Sequence, residues 1–255
     1  MNRMNTALSP SICITANWPA VSSVRALTTL RAGGYSVVPY AGFNLAAHVG
    51  DCIDNVLRNR LKLHASLRLA HEPIWLNQHH GTTVIDAWKD QDRDADGAYA
   101  DKPSVVCAVL TADCLPLLLC SEEGNEIAAL HCGWRGLAAG IIEQGLKRFH
   151  SPRHQLLAWL GPAISARHYE VGGEVRQAFA GYGAEVAAAF SASRVGHYRA
   201  DLYAIARVLL NQGGVKRIYG GTCCTYAEHD RFFSFRRDGE TGRMASLIWI
   251  NPAST

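Results

Sequence analysis

Val109-Leu-Thr-Ala-Asp-Cys-Leu-Pro-Leu-Leu-Leu-Cys120, then Ser121-Glu-Glu-Gly-Asn125, then Glu126-Ile-Ala-Ala-Leu-His-Cys-Gly-Trp-Arg135 is the stretch on which the fold reading turns. Two short apolar runs flank a polar, glycine-bearing loop, the pattern of a hairpin of buried strands. The first run carries Cys114 at its start and the second closes on His131, both soft metal-ligand types. A third candidate, His80, lies upstream in Asn77-Gln-His-His80-Gly81, after Ile74-Trp75-Leu76. If that segment is a regular strand, alternation turns His79 and His80 to opposite faces, so only one of them can serve a given site.

Outward from the hairpin, further strands are predicted at Ile12–Ala16, Val24–Leu30, Ser104–Leu110, Leu156–Leu160, Val215–Tyr219 and Leu247–Ile250, and along Ile74–His80 into Val84-Ile85. A helix is expected after Asp51 or Asp54 as cap, with Leu57, Leu61, His64 and Leu67 on one face, extended by Val56, Leu63 and Leu69. Another follows Gly136 with Leu137, Ile141, Leu146 and Phe149 buried, and Gly173–Ala180, Ala184–Phe190 and Asp201–Asn211 also read as helical. Trp88–Asp96 is polar and charged, as a surface loop should be, and Asp96-Gly97-Ala98-Tyr99 closes it. Strands outnumber helices and come consecutively, which favours α+β over strict β-α alternation. Without repeats, low-complexity segments or linkers, residues 1–255 read as one domain.

The 255 residues are 48% hydrophobic and 18% charged, ample for a packed core. A net charge of +3 with scattered basic residues argues against a nucleic-acid partner. No apolar run nears the roughly 18 residues that span a bilayer, and Met1–Pro19 lacks a signal-peptide pattern, so a cytoplasmic protein is expected. Eight cysteines without any Cys-x-x-Cys, in a reducing compartment, are read as free thiols. Cys114, preceded by Asp113 and followed by Leu115-Pro116, stands apart from cysteines embedded in apolar runs.

One cysteine and two histidines around zinc, with a fourth position open, is a known catalytic arrangement. Such a metal lowers the pKa of bound water toward neutrality. The spacing from His80 to Cys114 to His131 is too wide to establish such a site alone. His-Glu-x-x-His, the deaminase Pro-Cys-x-x-Cys and the Gly-x-x-x-x-Gly-Lys loop are all absent. A metal-free Cys–His hydrolase would use the same residues, with Cys114 as thiolate, and a non-catalytic metal-binding module is a third reading. After His131, the Gly133–Gly136 turn before a helix offers backbone N–H groups beside Arg135, where an anion can sit.

Phe43-Asn44-Leu45 with His48-Val49-Gly50-Asp51, Asn77-Gln78-x-His80-Gly81, Asp96-Gly97, Thr111-Ala112-Asp113-Cys114-Leu115-Pro116, His131-x-Gly133-Trp134-Arg135-Gly136, Leu160-Gly161-Pro162-Ala163-Ile164, and Phe233-Ser234-x-Arg236-Arg237-Asp238-Gly239 with Thr241-Gly242-Arg243 occur in this order. Together they resemble the YfiH family, long labelled multicopper polyphenol oxidases or laccase-domain proteins and now viewed as zinc-dependent purine nucleoside phosphorylases. The resemblance runs from about Leu30 to Trp249. It implies a single-domain α+β fold with mixed sheets in a sandwich-like core flanked by helices, similar to cysteine-hydrolase-like domains. It implies His80, Cys114 and His131 as ligands of Zn2+. It also implies phosphorolysis of adenosine, inosine, guanosine and methylthioadenosine, with deamination of adenosine. His79 and Cys132 depart from the family pattern, and neither is expected to bind the metal.

On that basis Asp113 is the expected proton shuttle, or else a hydrogen-bonding partner that orients a ligand histidine. Arg135 and the turn amides are expected to hold phosphate, Asn44, His48 and Ser36 to meet ribose or phosphate, and Arg31 and Arg236 to be further anion sites. The expected partners are purine nucleosides and phosphate, with no membrane, in a monomer or alternatively a dimer. Copper is the less expected metal, since multicopper oxidases use His-x-His pairs and this chain has none.

Overall fold

A computed structural model describes residues 12–252; most of the Met1–Pro19 stretch lies outside it. In chain order the strands are β1 (Cys13–Thr15), β2 (Val24–Thr29), β3 (Val84–Asp86), β4 (Gly97–Ala100), β5 (Val106–Thr111), β6 (Leu115–Ser121), β7 (Ile127–Cys132), β8 (Leu156–Leu160), β9 (Glu170–Gly172), β10 (Phe190–Ala192), β11 (His197–Ala200), β12 (Arg217–Gly220) and β13 (Met244–Ile250). The helices are α1 (Ile53–Leu67), α2 (Trp134–Ala139), α3 (Ile141–Lys147), α4 (Gly173–Ala178), α5 (Ala184–Ala187), α6 (Leu202–Gln212) and α7 (Phe235–Asp238).

The hairpin predicted from the opening stretch is β6–β7, antiparallel from Leu115↔Cys132 to Cys120↔Ile127. It forms the middle of a six-stranded sheet ordered β12-β8-β6-β7-β4-β3. That sheet is mixed: β12 runs parallel to β8 and β3 parallel to β4, while the other pairs are antiparallel. A second sheet, β1-β2-β13-β5, is antiparallel throughout, and β10-β11-β9 form a small third one.

Period-2 alternation explains how the two main sheets pack. In β6, Leu118 and Cys120 join Ile127 and Ala129 of β7 against Cys107, Val109, Ile248 and Ile250 of the other sheet. The alternate residues Leu115, Leu117, Leu119, Ala128 and Leu130 face α2, α3 and α6 through Leu137, Ile141, Ile142 and Ile205. On the far side, Val106, Ala108, Leu247 and Trp249 meet Leu63 of α1 and the loop residues Phe43 and Leu45. Helix, sheet, sheet and helices therefore stack as layers. Strands covered on both faces are apolar at every position, which is why β6 and β7 read as continuous runs rather than alternating ones.

Several elements differ from the sequence reading. In α1 the inward stripe is Val56, Asn59 and Leu63, while Leu57 and Leu61 are 49% and 69% exposed. A polar residue hid the stripe: buried Asn59 bonds Ser36 Oγ, Gly42 O and Asn44 O, and accepts from Tyr35 N, pinning the glycine-rich loop of residues 31–51, between β2 and α1, to the helix. Neither Asp51 nor Asp54 caps α1. Its N-cap is Cys52, and Asp51 instead accepts from Cys52 N and from Asn44 Nδ2. Asp201 does cap α6, accepting from Ala204 N at 3.0 Å. The single helix expected after Gly136 is two, broken at Gly140, whose φ of +97° suits glycine. Gly97–Ala100, read as the end of a surface loop, is a buried strand. The helix expected over Ala184–Phe190 stops at Ala187, Phe190 opens strand β10, and β10 and β11 were not among the expected strands.

Glu126, only 5% exposed, ties the hairpin to the segment before β8. It accepts from Tyr99 Oη at 2.7 Å, His150 N at 2.7 Å, Ser151 N at 2.9 Å and the Ser151 hydroxyl. Burial raises its pKa, but the bonds from Ser151, Tyr99 and the two amides outweigh that and leave it below the usual glutamate value. A depressed carboxylate stabilises the fold above its unfolded pKa of roughly 4.3, and this contribution fades as pH falls below it. Glu126→Gln is expected to cost about 2–3 kcal/mol at pH 7, with the deficit shrinking toward pH 3.5 in urea titrations. An equal deficit at both pH values would refute the assignment.

Candidate active site and metal centre

The register of the central hairpin decides where two of the three candidate ligands go. Leu115 pairs with Cys132, so Cys114, one residue before β6, is brought beside Gly133, one residue after β7. His131 lies in the same strand end, paired with Pro116. Residues 17 apart in sequence thus meet because a hairpin closes on itself. Gly133 is needed there: a Cβ would sit 2.8 Å from His80 Cδ2 and 3.0 Å from Cys114 Sγ. Cys132 points the other way, into the helix-side core.

The third candidate ligand arrives through a residue that the sequence reading did not single out as a site residue. Asp96, fully buried, stands just before β4, whose Gly97 pairs with Leu130 of β7. Its Oδ1 takes His131 Nδ1 at 2.7 Å and His80 N at 2.9 Å, and its Oδ2 takes Gly81 N at 2.6 Å and His79 N at 3.2 Å. One carboxylate therefore orients one histidine side chain and the backbone carrying another. Segment 77–81 is not a regular strand, because His80 has φ +63°. What separates His79 from His80 is this turn, not strand alternation; His79 Nδ1 faces Asn77 O at 3.3 Å.

The ligand atoms of His80, Cys114 and His131 all lie within 4.8 Å of one another. Cys114 Sγ is 3.8 Å from His80 Nε2, and the two imidazoles meet edge to face with centroids 4.8 Å apart. Tetrahedral zinc with bonds of about 2.0–2.3 Å sets its donors roughly 3.3–3.8 Å apart, so the trio needs little adjustment to hold such an ion. With Nδ1 of His131 bonded to Asp96, its Nε2 is left for a ligand, the carboxylate–histidine arrangement typical of metal sites. Among the described residues this is the one group of three or more such side chains placed to hold a metal.

The electrostatics agree. Burial raises the Cys114 thiol pKa, yet His131 and His80 beside it prevail and hold it well below the ordinary thiol value. Burial lowers that of His131, but Cys114 and Asp96 raise it further than burial lowers it. Asp96 is disfavoured as an anion by burial and still held at about 2 by its bonds from His131 and the amides of Gly81 and His79. A bound cation would take over the role that the imidazole protons play beside the thiolate.

These side chains floor a cleft of about 560 Å³, in the range of small-molecule sites. His48, Asp113, Arg135 and Arg236 line it, as do Gln78, Trp134, Tyr169, Phe235 and Arg243, which were not among the sequence candidates. Burial lowers the pKa of His48, and Arg243 and Arg60 push it further down, which favours the neutral ring. Asp113, with φ +89°, does not touch a ligand histidine: Oδ1 accepts from the Thr225 hydroxyl at 2.6 Å and Oδ2 from Arg236 N at 2.7 Å. The histidine-orienting bond expected as its alternative belongs to Asp96. Arg135 stacks on Trp134, its guanidinium 4.3 Å from the ring centroid.

Three other candidates lie outside the cleft lining. Asn44 is buried, joining Asp51, Ala46 and Arg243 N. Ser36 is buried against Asn59. Arg31 reaches the carbonyls of His229 and Ala41 and stacks over Phe233. All three build the loop framework around the site. Gln78 and Arg243 sit inside motifs quoted above, but only the fold shows them facing inward.

A layered α/β scaffold with a His–Cys–His trio at the floor of an arginine-lined cleft defines a candidate mononuclear metal enzyme. The chain belongs to the family described as multi-copper polyphenol oxidoreductase laccase, whose model matches residues 25–251, and its relatives carry the YfiH name. It is 47% identical over 239 residues to the purine nucleoside phosphorylase YfiH of Escherichia coli (strain K12), covering 93% of this chain and 98% of that one. A purine nucleoside phosphorylase of Pseudomonas aeruginosa is 46% identical over 238 residues, covering 93% and 98%. The crystal structure of Neisseria meningitidis protein NMB0706 superposes with a TM-score of 0.91 at 46% identity, covering 95% of this chain and all of that one. No helix among the described residues is long and apolar enough to cross a membrane.

Proposed function

We propose that the chain is a cytoplasmic, monomeric, zinc-dependent purine nucleoside phosphorylase. It splits adenosine, inosine, guanosine and S-methyl-5'-thioadenosine with phosphate, and it also deaminates adenosine. The observation that carries this reading is the convergence of His80, Cys114 and His131 beneath Arg135, Arg236 and Arg243, in a chain so similar to proteins named purine nucleoside phosphorylases. A thiolate with two imidazoles is a zinc-type donor set. Zinc supplies Lewis acidity at the cleft floor when bound.

The chain's own residues supply the rest. Phosphate carries negative charge and meets guanidinium groups best. The helix after Gly133 spans only Trp134–Ala139, so arginine side chains, not a long helix dipole, support phosphate binding. Arg243 Nη1 is fixed by the carbonyls of Thr241 and Gly242, which aligns the guanidinium before any ligand arrives. Asp113, whose two oxygens accept from the Thr225 hydroxyl and Arg236 N at the cleft wall, is assigned the role of taking a proton from attacking water and returning it to the departing exocyclic nitrogen during deamination.

Purification without added metal, followed by metal analysis and an inosine–phosphate assay, tests the reading. Stoichiometric zinc with hypoxanthine and ribose-1-phosphate as products supports it. Stoichiometric copper with phenol oxidation and no hypoxanthine overturns it in favour of the oxidase that the family's description names. Arg243→Met is expected to raise KM for phosphate about tenfold, roughly 1.4 kcal/mol, with a smaller change in KM for inosine. The reverse pattern would assign Arg243 to the nucleoside.

A further inference from the structure

His131 and His80 are not held alike. The imidazole of His131 is buried and bonded through Nδ1 to Asp96 at 2.7 Å. His80 is exposed, and among the described residues its ring has no hydrogen-bond partner other than Cys114 Sγ. A ligand histidine is ordinarily oriented by a bond to the ring nitrogen that faces away from the metal. For His80 the backbone must set the orientation instead, and it does so from a left-handed conformation, φ +63°, that disfavours any residue with a side chain. Such a turn persists only where its surroundings over-determine it.

Two clamps hold the turn, one from each main sheet. Asp96, just before β4 of the six-stranded sheet, takes the amides of His79, His80 and Gly81. The second clamp is Gln78. Its Nε2 donates to Leu110 O at 2.9 Å, and its Oε1 accepts from Leu110 N at 2.7 Å. Leu110 lies in β5, the edge of the four-stranded sheet. An edge strand leaves backbone N–H and C=O groups without a strand to pair with, and Gln78 satisfies those of Leu110. Ile74 N takes Val106 O of the same strand at 2.9 Å, so residues 74–78 run beside β5 from one end to the other. Leu110 is also four residues before Cys114, on the run that leaves β5 and enters β6, crossing from one sheet to the other. The Gln78 clamp thus fixes His80 relative to Cys114, as Asp96 fixes it relative to His131. Gln78 lines the cleft, but Leu110 engages both ends of its amide, as a brace does and a substrate contact does not.

We propose that Gln78 is a positioning residue of the metal centre. By bracing the turn of residues 77–81 against the end of β5, it sets the distance and orientation of His80 toward Cys114, and so the affinity and geometry with which the trio holds a metal. This role rests on reading His80, Cys114 and His131 as a zinc-type donor set, and it is independent of the reaction assigned to the cleft.

Zinc and Co2+, whose visible absorption reports the number and geometry of its ligands, are the probes, each added to the full chain after metal is stripped from it. Gln78→Met keeps the length of the side chain and removes both bonds to Leu110. Gln78→Asn stays polar but falls one methylene short of reaching it. Circular dichroism in a chelator checks that each variant is folded. Each is expected to bind zinc roughly tenfold more weakly in competition with a chromophoric chelator, and to shift the visible Co2+ bands. On a His80→Ala background, Gln78→Met should lower zinc affinity no further, because a residue that acts through His80 has nothing left to position. Parent-like affinity and Co2+ spectrum in a folded variant, or an equal loss of affinity with His80 absent, would overturn the role of Gln78. A parent protein that binds neither zinc nor Co2+ would overturn the metal centre itself, so the two failures are told apart.

Discussion

Cys114→Ala is expected to remove both bound metal and turnover. Cys114 is the only thiol of the trio, and its Sγ lies 3.8 Å from His80 Nε2. Without it two imidazoles remain, and only one of them, His131, is held by a carboxylate. Zinc held by two histidines and water lacks the thiolate charge that makes such sites tight. The expected fall in kcat/KM is roughly a thousandfold or more, about 4 kcal/mol. Metal analysis should show substoichiometric zinc, and the rise in Tm that zinc gives the parent protein should vanish, since a ligand stabilises only the state that binds it.

A chelator separates the competing readings of that result. In a metal-free Cys–His hydrolase, Cys114→Ala would abolish activity while dialysis against a chelator changed nothing. In a non-catalytic metal module, zinc would be lost with no turnover to lose. The zinc-enzyme reading alone predicts that the parent protein loses activity on chelation, regains it with zinc, and that Cys114→Ala regains nothing. Recovery of Cys114→Ala by zinc would remove the cysteine from the ligand set.

How far the sequence discloses such a site depends on the range of the interactions that build it. The β6–β7 hairpin is local: loop composition and two apolar runs mark it, and its register alone carries Cys114 to His131. The resemblance of ordered motifs pointed to His80 where local chemistry left His79 and His80 open. What escaped was set by distant partners. Asn59 sits on an inward helical position because three loop groups need its amide, and a periodicity rule built on apolar residues cannot see that. The Gly97–Ala100 segment has one glycine and two alanines, too little side chain to announce a strand, and its burial comes from β7 beside it. Arg243 lies just before β13, at the opposite end of the chain from the glycine-rich loop whose His48 shares its cleft. Such pairings are written in the sheet order, which no local pattern contains.

Asp96 is the sharpest case, and Asp96→Asn is the substitution that tests it. Each carboxylate oxygen serves two donors: Oδ1 takes His131 Nδ1 and His80 N, and Oδ2 takes Gly81 N and His79 N. An asparagine must replace one oxygen by NH2. Whichever way the amide turns, two donors then face another donor inside a fully buried site, so no rotation restores the network. The variant is expected to lose about 2–4 kcal/mol of stability measured in a chelator, where metal plays no part. Its zinc affinity, measured by competition with a chromophoric chelator, should fall roughly 10–100-fold, because His131 loses the partner that fixes its tautomer and ring orientation. The two readouts answer different questions. A drop in stability with unchanged zinc affinity would make Asp96 a scaffold residue only. A drop in both, with His131→Ala adding little further loss of affinity on the Asp96→Asn background, would show that the carboxylate acts through the histidine it holds.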